Sequence, residues 1–177
     1  MSRPAPANGG LGFALILTAY LFLFLFGARF WAISRNAGEQ AGWLSIAGLG
    51  GLVLYAAADI TRFMVSDARN LAVGHHLQPA EGVAFFDISN ALTPMTWAAL
   101  AMFLIPTALA AVRGRLLPPW LGWAGLVIGL GNLLWAWLPP GGTSTPAEDA
   151  ALLWILVASI VLLVRPVVRV NAKPTSG

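Results

Sequence analysis

Apolar residues fall in five long runs, at 11–33, 43–64, 83–112, 120–138 and 147–168, parted by short polar stretches. At 1.5 Å per residue, each run is long enough to cross a hydrocarbon core of about 30 Å as a helix. No stretch keeps up the two-residue alternation of a membrane β-strand. Lipid also demands that backbone groups be satisfied within each segment, which leaves helices. The pattern predicts an all-α fold: a polytopic membrane helix bundle of five transmembrane helices, in a single domain over 1–177. The tails 1–10 and 170–177 are expected to be disordered.

Punctuation supports these limits. Thr145-Pro-Ala-Glu148 reads as a helix start, with a hydroxyl cap, proline at the first helical position and an acid three residues on. Pro118-Pro119 opens the fourth span and Pro139-Pro140-Gly141-Gly142 closes it. Between spans two and three, 66–82 reads as an interfacial helix followed by a turn at Gln78-Pro79. Within span three, Pro94 cannot donate to the Asn90 carbonyl and crowds that turn, so the third helix is expected to be kinked at Pro94. Pro106 repeats the effect at Met102. Asp87, Asn90, Pro94 and Trp97, spaced three, four and three apart, share one face of that helix.

Composition moves lipid from one solvent among others to the main one. The chain is 58% hydrophobic and 10% charged, against about 25% charged for a soluble domain. The pI of about 10.2 does not signal nucleic-acid binding, because the cations lie beside apolar runs as topology signals do. Cysteine is absent, which excludes disulfides, thiol catalysis and thiolate metal sites. With five spans, one side collects Arg29, Arg35, Arg113, Arg115, Arg165, Arg169 and Lys173, and the other Arg3, Arg62 and Arg69. That bias predicts an outside N-terminus and a cytoplasmic C-terminus in a bacterial cytoplasmic membrane. Span one lacks a basic leader and an A-x-A-like site, and reads as an uncleaved anchor.

Small residues mark packing positions: Gly48 and Gly51 in span two, and Gly122, Gly125 and Gly129 in span four. Such glycines let helix backbones approach closely, either within one bundle or across a homo-oligomer interface. Span one is bulky all round, with Phe13, Tyr20, Phe22, Phe24, Phe26 and Phe30, and reads as a peripheral, lipid-facing helix.

Ionisable residues inside spans are functional candidates, since each costs about 2.5–3.5 kcal/mol at a helix centre. Asp59 and Arg62 share a face near the end of span two, and Asp87 and Asn90 lie near the start of span three at similar expected depth. Three readings follow. Arg62 pairs with Asp59 or Asp87; or Asp59, Arg62, Asp87, Asn90 and Trp97 line an outward-opening pocket for a small molecule or lipid; or His75 and His76 join carboxylates around a metal. Adjacent histidines point apart on a helix and rarely share an ion, which weighs against the third. Pairing with Arg62 is the favoured role for Asp87. The Trp97 indole needs a partner, for which Asn132 is the candidate. No phosphate-loop, nucleophile-elbow, dinucleotide or H-E-x-x-H motif occurs. No cofactor and no enzymatic activity are expected.

The segments "RGRLLPPWLGWAGLVIGLGNLLWAWLPPGG" and "LLWILVASIVLLVRP" resemble a family of small bacterial membrane proteins of a domain of unknown function, common in actinobacteria. The likeness rests on Arg115 and 117–123 leading into a helix, and on the closing 153–157, and covers mainly 81–168. It implies a multi-span bundle in which span one here matches the usual second helix, and it carries no catalytic residues. The reading adopted is a non-enzymatic structural or accessory bundle with the bilayer as its partner; the alternative is small-molecule or lipid binding, or transport, at the outer polar pocket.

Overall fold

A computed structural model of the chain describes residues 9–74, 79–137 and 146–164. They form five helices: α1 (Gly9–Asn36), α2 (Glu39–Gly74), α3 (Pro79–Arg113), α4 (Pro119–Trp135) and α5 (Pro146–Val164). The protein is an all-helical bundle, and four of its helices, all but α4, are long and apolar enough to cross a membrane. Helix α4 is as apolar, but at 17 residues it spans about 25 Å. Most of both tails lies outside the described residues; Gly9 and Gly10, assigned above to a disordered tail, already belong to α1.

The largest departure from expectation is α2. Instead of stopping near Met64 before a separate interfacial helix, it runs on unbroken to Gly74. The physical reason is local: the segment after Met64 contains neither proline nor glycine until Gly74, so polarity alone gave no cause to stop. Helix α3 then starts at Pro79, where a missing N–H costs nothing. It remains continuous through Pro94 and Pro106. Thr93, Thr96 and Thr107 donate to the carbonyls of Ser89, Leu92 and Phe103, each one turn back.

Helix α3 is the centre of the bundle and packs against α2, α4 and α5. In its C-terminal half Leu100, Ala101, Leu104, Ala108, Ala110 and Ala111 are fully shielded. Helix α1 packs on α2, with Phe26 reaching the Phe103 ring edge-on at 6.4 Å. Much of α1 faces outward through Leu15, Leu21, Phe22 and Leu25.

The glycines sit at helix crossings. A Cβ at Gly51 would overlap the backbone of Met102 and Phe103, and one at Gly48 would meet Thr107 and the Phe103 carbonyl. Gly122 faces Val112, Gly125 lies under the Trp154 ring, and Gly129 meets Leu104 and Ile105. Gly125 and Gly129 are therefore occupied by contacts inside the bundle, the first of the two readings their spacing allowed. At the end of α3, Leu116 N–H donates to the Ala111 carbonyl at 3.0 Å, and Arg115 holds a left-handed φ of 51°. This 6→1 closure reverses the chain into α4.

Candidate functional site

Contacts at Gly48 and Gly51 set the register of the antiparallel α2–α3 pair, with Gly51 against Met102–Phe103 and Gly48 against Phe103–Thr107. Continued outward at 1.5 Å per residue, that register sets Asp59 beside Pro94 and leaves Asp87 about 10 Å further along the bundle axis. Asp59 and Asp87 are thus not at one depth.

Around Asp59 four helices meet in a polar clasp. Arg62 Nη2 lies 2.5 Å from Asp59 Oδ1 and 3.6 Å from Glu148 Oε1 of α5. The Tyr20 hydroxyl of α1 donates to Asp59 Oδ2 at 2.5 Å. The Trp97 indole N–H of α3 donates to Glu148 Oε2 at 3.3 Å. Tyr55 packs alongside, its ring centroid 6.3 Å from that of Tyr20. The chain Tyr20–Asp59–Arg62–Glu148–Trp97 therefore ties α1, α2, α5 and α3 in series. The side chains of Arg62, Asp59 and Glu148 keep only 20%, 19% and 11% exposure, so water screens these charges weakly.

Asp59, Arg62 and Trp97 are brought together; Asp87 and Asn90 are not. Asp87 is exposed and has no ion pair among the described residues, which corrects the expected Asp87–Arg62 pair. The reason is register: Asp87 stands roughly two turns of helix further along α3, while Glu148 reaches in from α5. Asn90 is half-buried. Trp97 does take a partner, but it is Glu148 rather than Asn132. The Asn132 amide instead donates to the Ile128 and Ala147 carbonyls at 3.0 Å each, fastening α4 to the start of α5. Its Oδ1 is buried without a partner among the described residues.

Two members of the clasp escaped sequence reasoning. Tyr20 was read only as bulk, although a hydroxyl in a phenylalanine-rich span needs an acceptor. Glu148 was assigned to capping its own helix, and Thr145, its cap partner, lies outside the described residues. His75 and His76 also lie outside them, as do the side chains of Arg69 and Glu81; among the described residues no group of three metal-ligating side chains occurs. No protein family, curated protein or solved structure matches this chain.

The clasp is built to hold helices. It offers one guanidinium shared by two carboxylates and two neutral donors that close the ends. Each of these five side chains has a partner from within the bundle.

Proposed function

We propose that the protein is a multi-pass integral membrane protein of a bacterial cytoplasmic membrane, akin to the actinobacterial family whose helix-opening motifs it resembles, and that it acts as a non-enzymatic structural or accessory bundle. The carrying observation is the use of Arg62, whose guanidinium answers carboxylates from two helices. A polar cluster so committed to its own helices supports a scaffold over a ligand pocket. Helices α2 and α3, at 36 and 35 residues, overrun a core of about 30 Å by about 20 Å. They form a hairpin standing above the membrane on the Gly74–Pro79 side. That side faces outward in the proposed topology, with N-terminus outside and C-terminus cytoplasmic.

The absence of cysteine makes the test direct. Single cysteines are placed at Gln40 and Asp67 and treated with a membrane-impermeant maleimide in spheroplasts. The reading expects labelling at Asp67→Cys in intact spheroplasts and at Gln40→Cys only after lysis. Labelling of Gln40→Cys alone before lysis would invert the topology, and equal labelling of both would overturn the embedding. The scaffold role is tested by Arg62→Met: an unfolding midpoint in detergent equal to that of the parent would remove it.

A further inference from the structure

At the end of the bundle opposite the clasp, the α1–α2 and α3–α4 turns touch: a Cβ on Gly114 would lie 3.2 Å from that of Ala37. Three arginines surround this contact, Arg35 two residues before Ala37, and Arg113 and Arg115 on either side of Gly114. All three are exposed, and none makes an ion pair among the described residues. Glu39 is the one described acid near them; the others lie in the clasp half of the bundle. Arg115 carries a second sign. Among the described residues it is the only non-glycine with a positive φ, 51°, in the closure of α3 where glycine or asparagine is the ordinary occupant. A side chain there strains backbone that glycine would leave relaxed. The positive-inside bias asks for charge near a helix end, but gives no reason to put it on the strained residue.

We propose that this arginine face binds a phospholipid of net negative charge, its phosphodiester held by Arg35, Arg113 and Arg115. Guanidinium forks match phosphate oxygens two at a time, and an anion among gathered cations relieves their repulsion. The Arg35 guanidinium is already steadied, 5.3 Å from the Trp31 ring centroid. Lipid rather than a soluble anion is the occupant because of the neighbours. Trp43 and Trp120, at the starts of α2 and α4, and Trp123 one turn deeper are 67%, 63% and 60% exposed, as indoles at the headgroup level are. A zwitterionic lipid would bring an ammonium against the same arginines. Basic residues just beyond a span raise the affinity for anionic lipid about fivefold each. Three arginines less Glu39 leave two net positive charges, hence a preference of about thirtyfold.

This assignment rests on the membrane reading, so its test compares headgroups on a protein already inserted. The purified full chain is placed in nanodiscs of equal parts phosphatidylglycerol and phosphatidylcholine, and the lipid it retains is counted by native mass spectrometry. The parent should retain phosphatidylglycerol in about thirtyfold preference. Arg115→Gly should lower that preference about fivefold without lowering the unfolding midpoint, because it relieves the left-handed strain. Arg113→Gln, on ordinary helical backbone, should show the same loss and decides the matter if Arg115→Gly unfolds. Lysine at all three positions keeps the charge but not the fork, and should lose part of the preference. Equal retention of both lipids by the parent, an undiminished preference in Arg113→Gln, or full preference in the lysine variant would each overturn the site. Displacement of the lipid by inorganic phosphate would overturn lipid as the ligand. A chain that passes the maleimide test yet shows no headgroup preference loses this site alone.

Discussion

The two halves of the α2–α3 pair are held by opposite means. In the half around Gly48, Gly51, Ala108 and Ala111, small residues bring backbone against backbone, and no described charge lies between the helices. In the half around Asp59, the helices are joined by charge, through Arg62 and the residues it gathers from α1, α3 and α5. Lipid explains why both are needed. Tails as apolar as leucine give no hydrophobic drive to helix association, so contact must come from close packing or from polar bonds. Close packing fastens two helices at a time, whereas one shared guanidinium with hydrogen-bonded carboxylates fastens four. The difference predicts that the half around Asp59 fails by losing one charge and the half around Gly51 by gaining one side chain.

Arg62→Met should give the largest effect. It strands two carboxylates, and removing one partner of a buried pair costs about 3–5 kcal/mol; partial exposure places this case near the lower end. The unfolding midpoint in a detergent–denaturant titration checks it. Combining Arg62→Met with Glu148→Gln should recover part of the loss, since the two effects are coupled and not additive. Full additivity would mean that Glu148 takes no part in the clasp.

Gly51→Leu should come next, at about 1–3 kcal/mol for overpacking, since the added Cβ meets the Met102–Phe103 backbone. A mild outcome here beside a severe one at Arg62 would show that the clasp alone holds the pair in register.

Trp97→Phe removes the indole donor to Glu148 and little else, because the ring stays in a site only 1% exposed. Intramembrane hydrogen bonds average about 0.6 kcal/mol, with a maximum near 1.7, so a loss of about 1 kcal/mol is expected. Tyr20→Phe should match it at the other end of the clasp. These two residues also show where the sequence was legible. Helix number and type followed from run length and apolarity, and the glycine positions from spacing, because those are properties of single helices. Asp59 and Arg62 paired as their i, i+3 spacing implied. Glu148 and Tyr20 were missed because their partners come from helices 86 and 39 positions away in sequence (148 − 62 and 59 − 20). No local pattern encodes which faces of separate helices meet. The end of α2 was missed for a related reason: polarity rises after Met64, but no residue there breaks a helix.

Asp87→Asn is the smallest effect expected and the sharpest discriminator between the halves of span three. The acid lies in a stretch, "DISNALTPMTW", whose polar face invited a single site running from Asp87 to Trp97. The register divides that face: Trp97 lies inside the clasp, while Asp87 stands beyond it, exposed and unpaired among the described residues. Neutralising an exposed carboxylate away from any network should leave the unfolding midpoint within about 0.5 kcal/mol of the parent. Neutralising Glu148, an acid of the same charge but held by Arg62 and Trp97, should not. A loss at Asp87→Asn comparable to that at Trp97→Phe would place Asp87 back against Arg62 and require α3 to sit about two helical turns deeper against α2. Because that shift would also carry Phe103 away from Gly51, Gly51→Leu measured alongside it would then become tolerated.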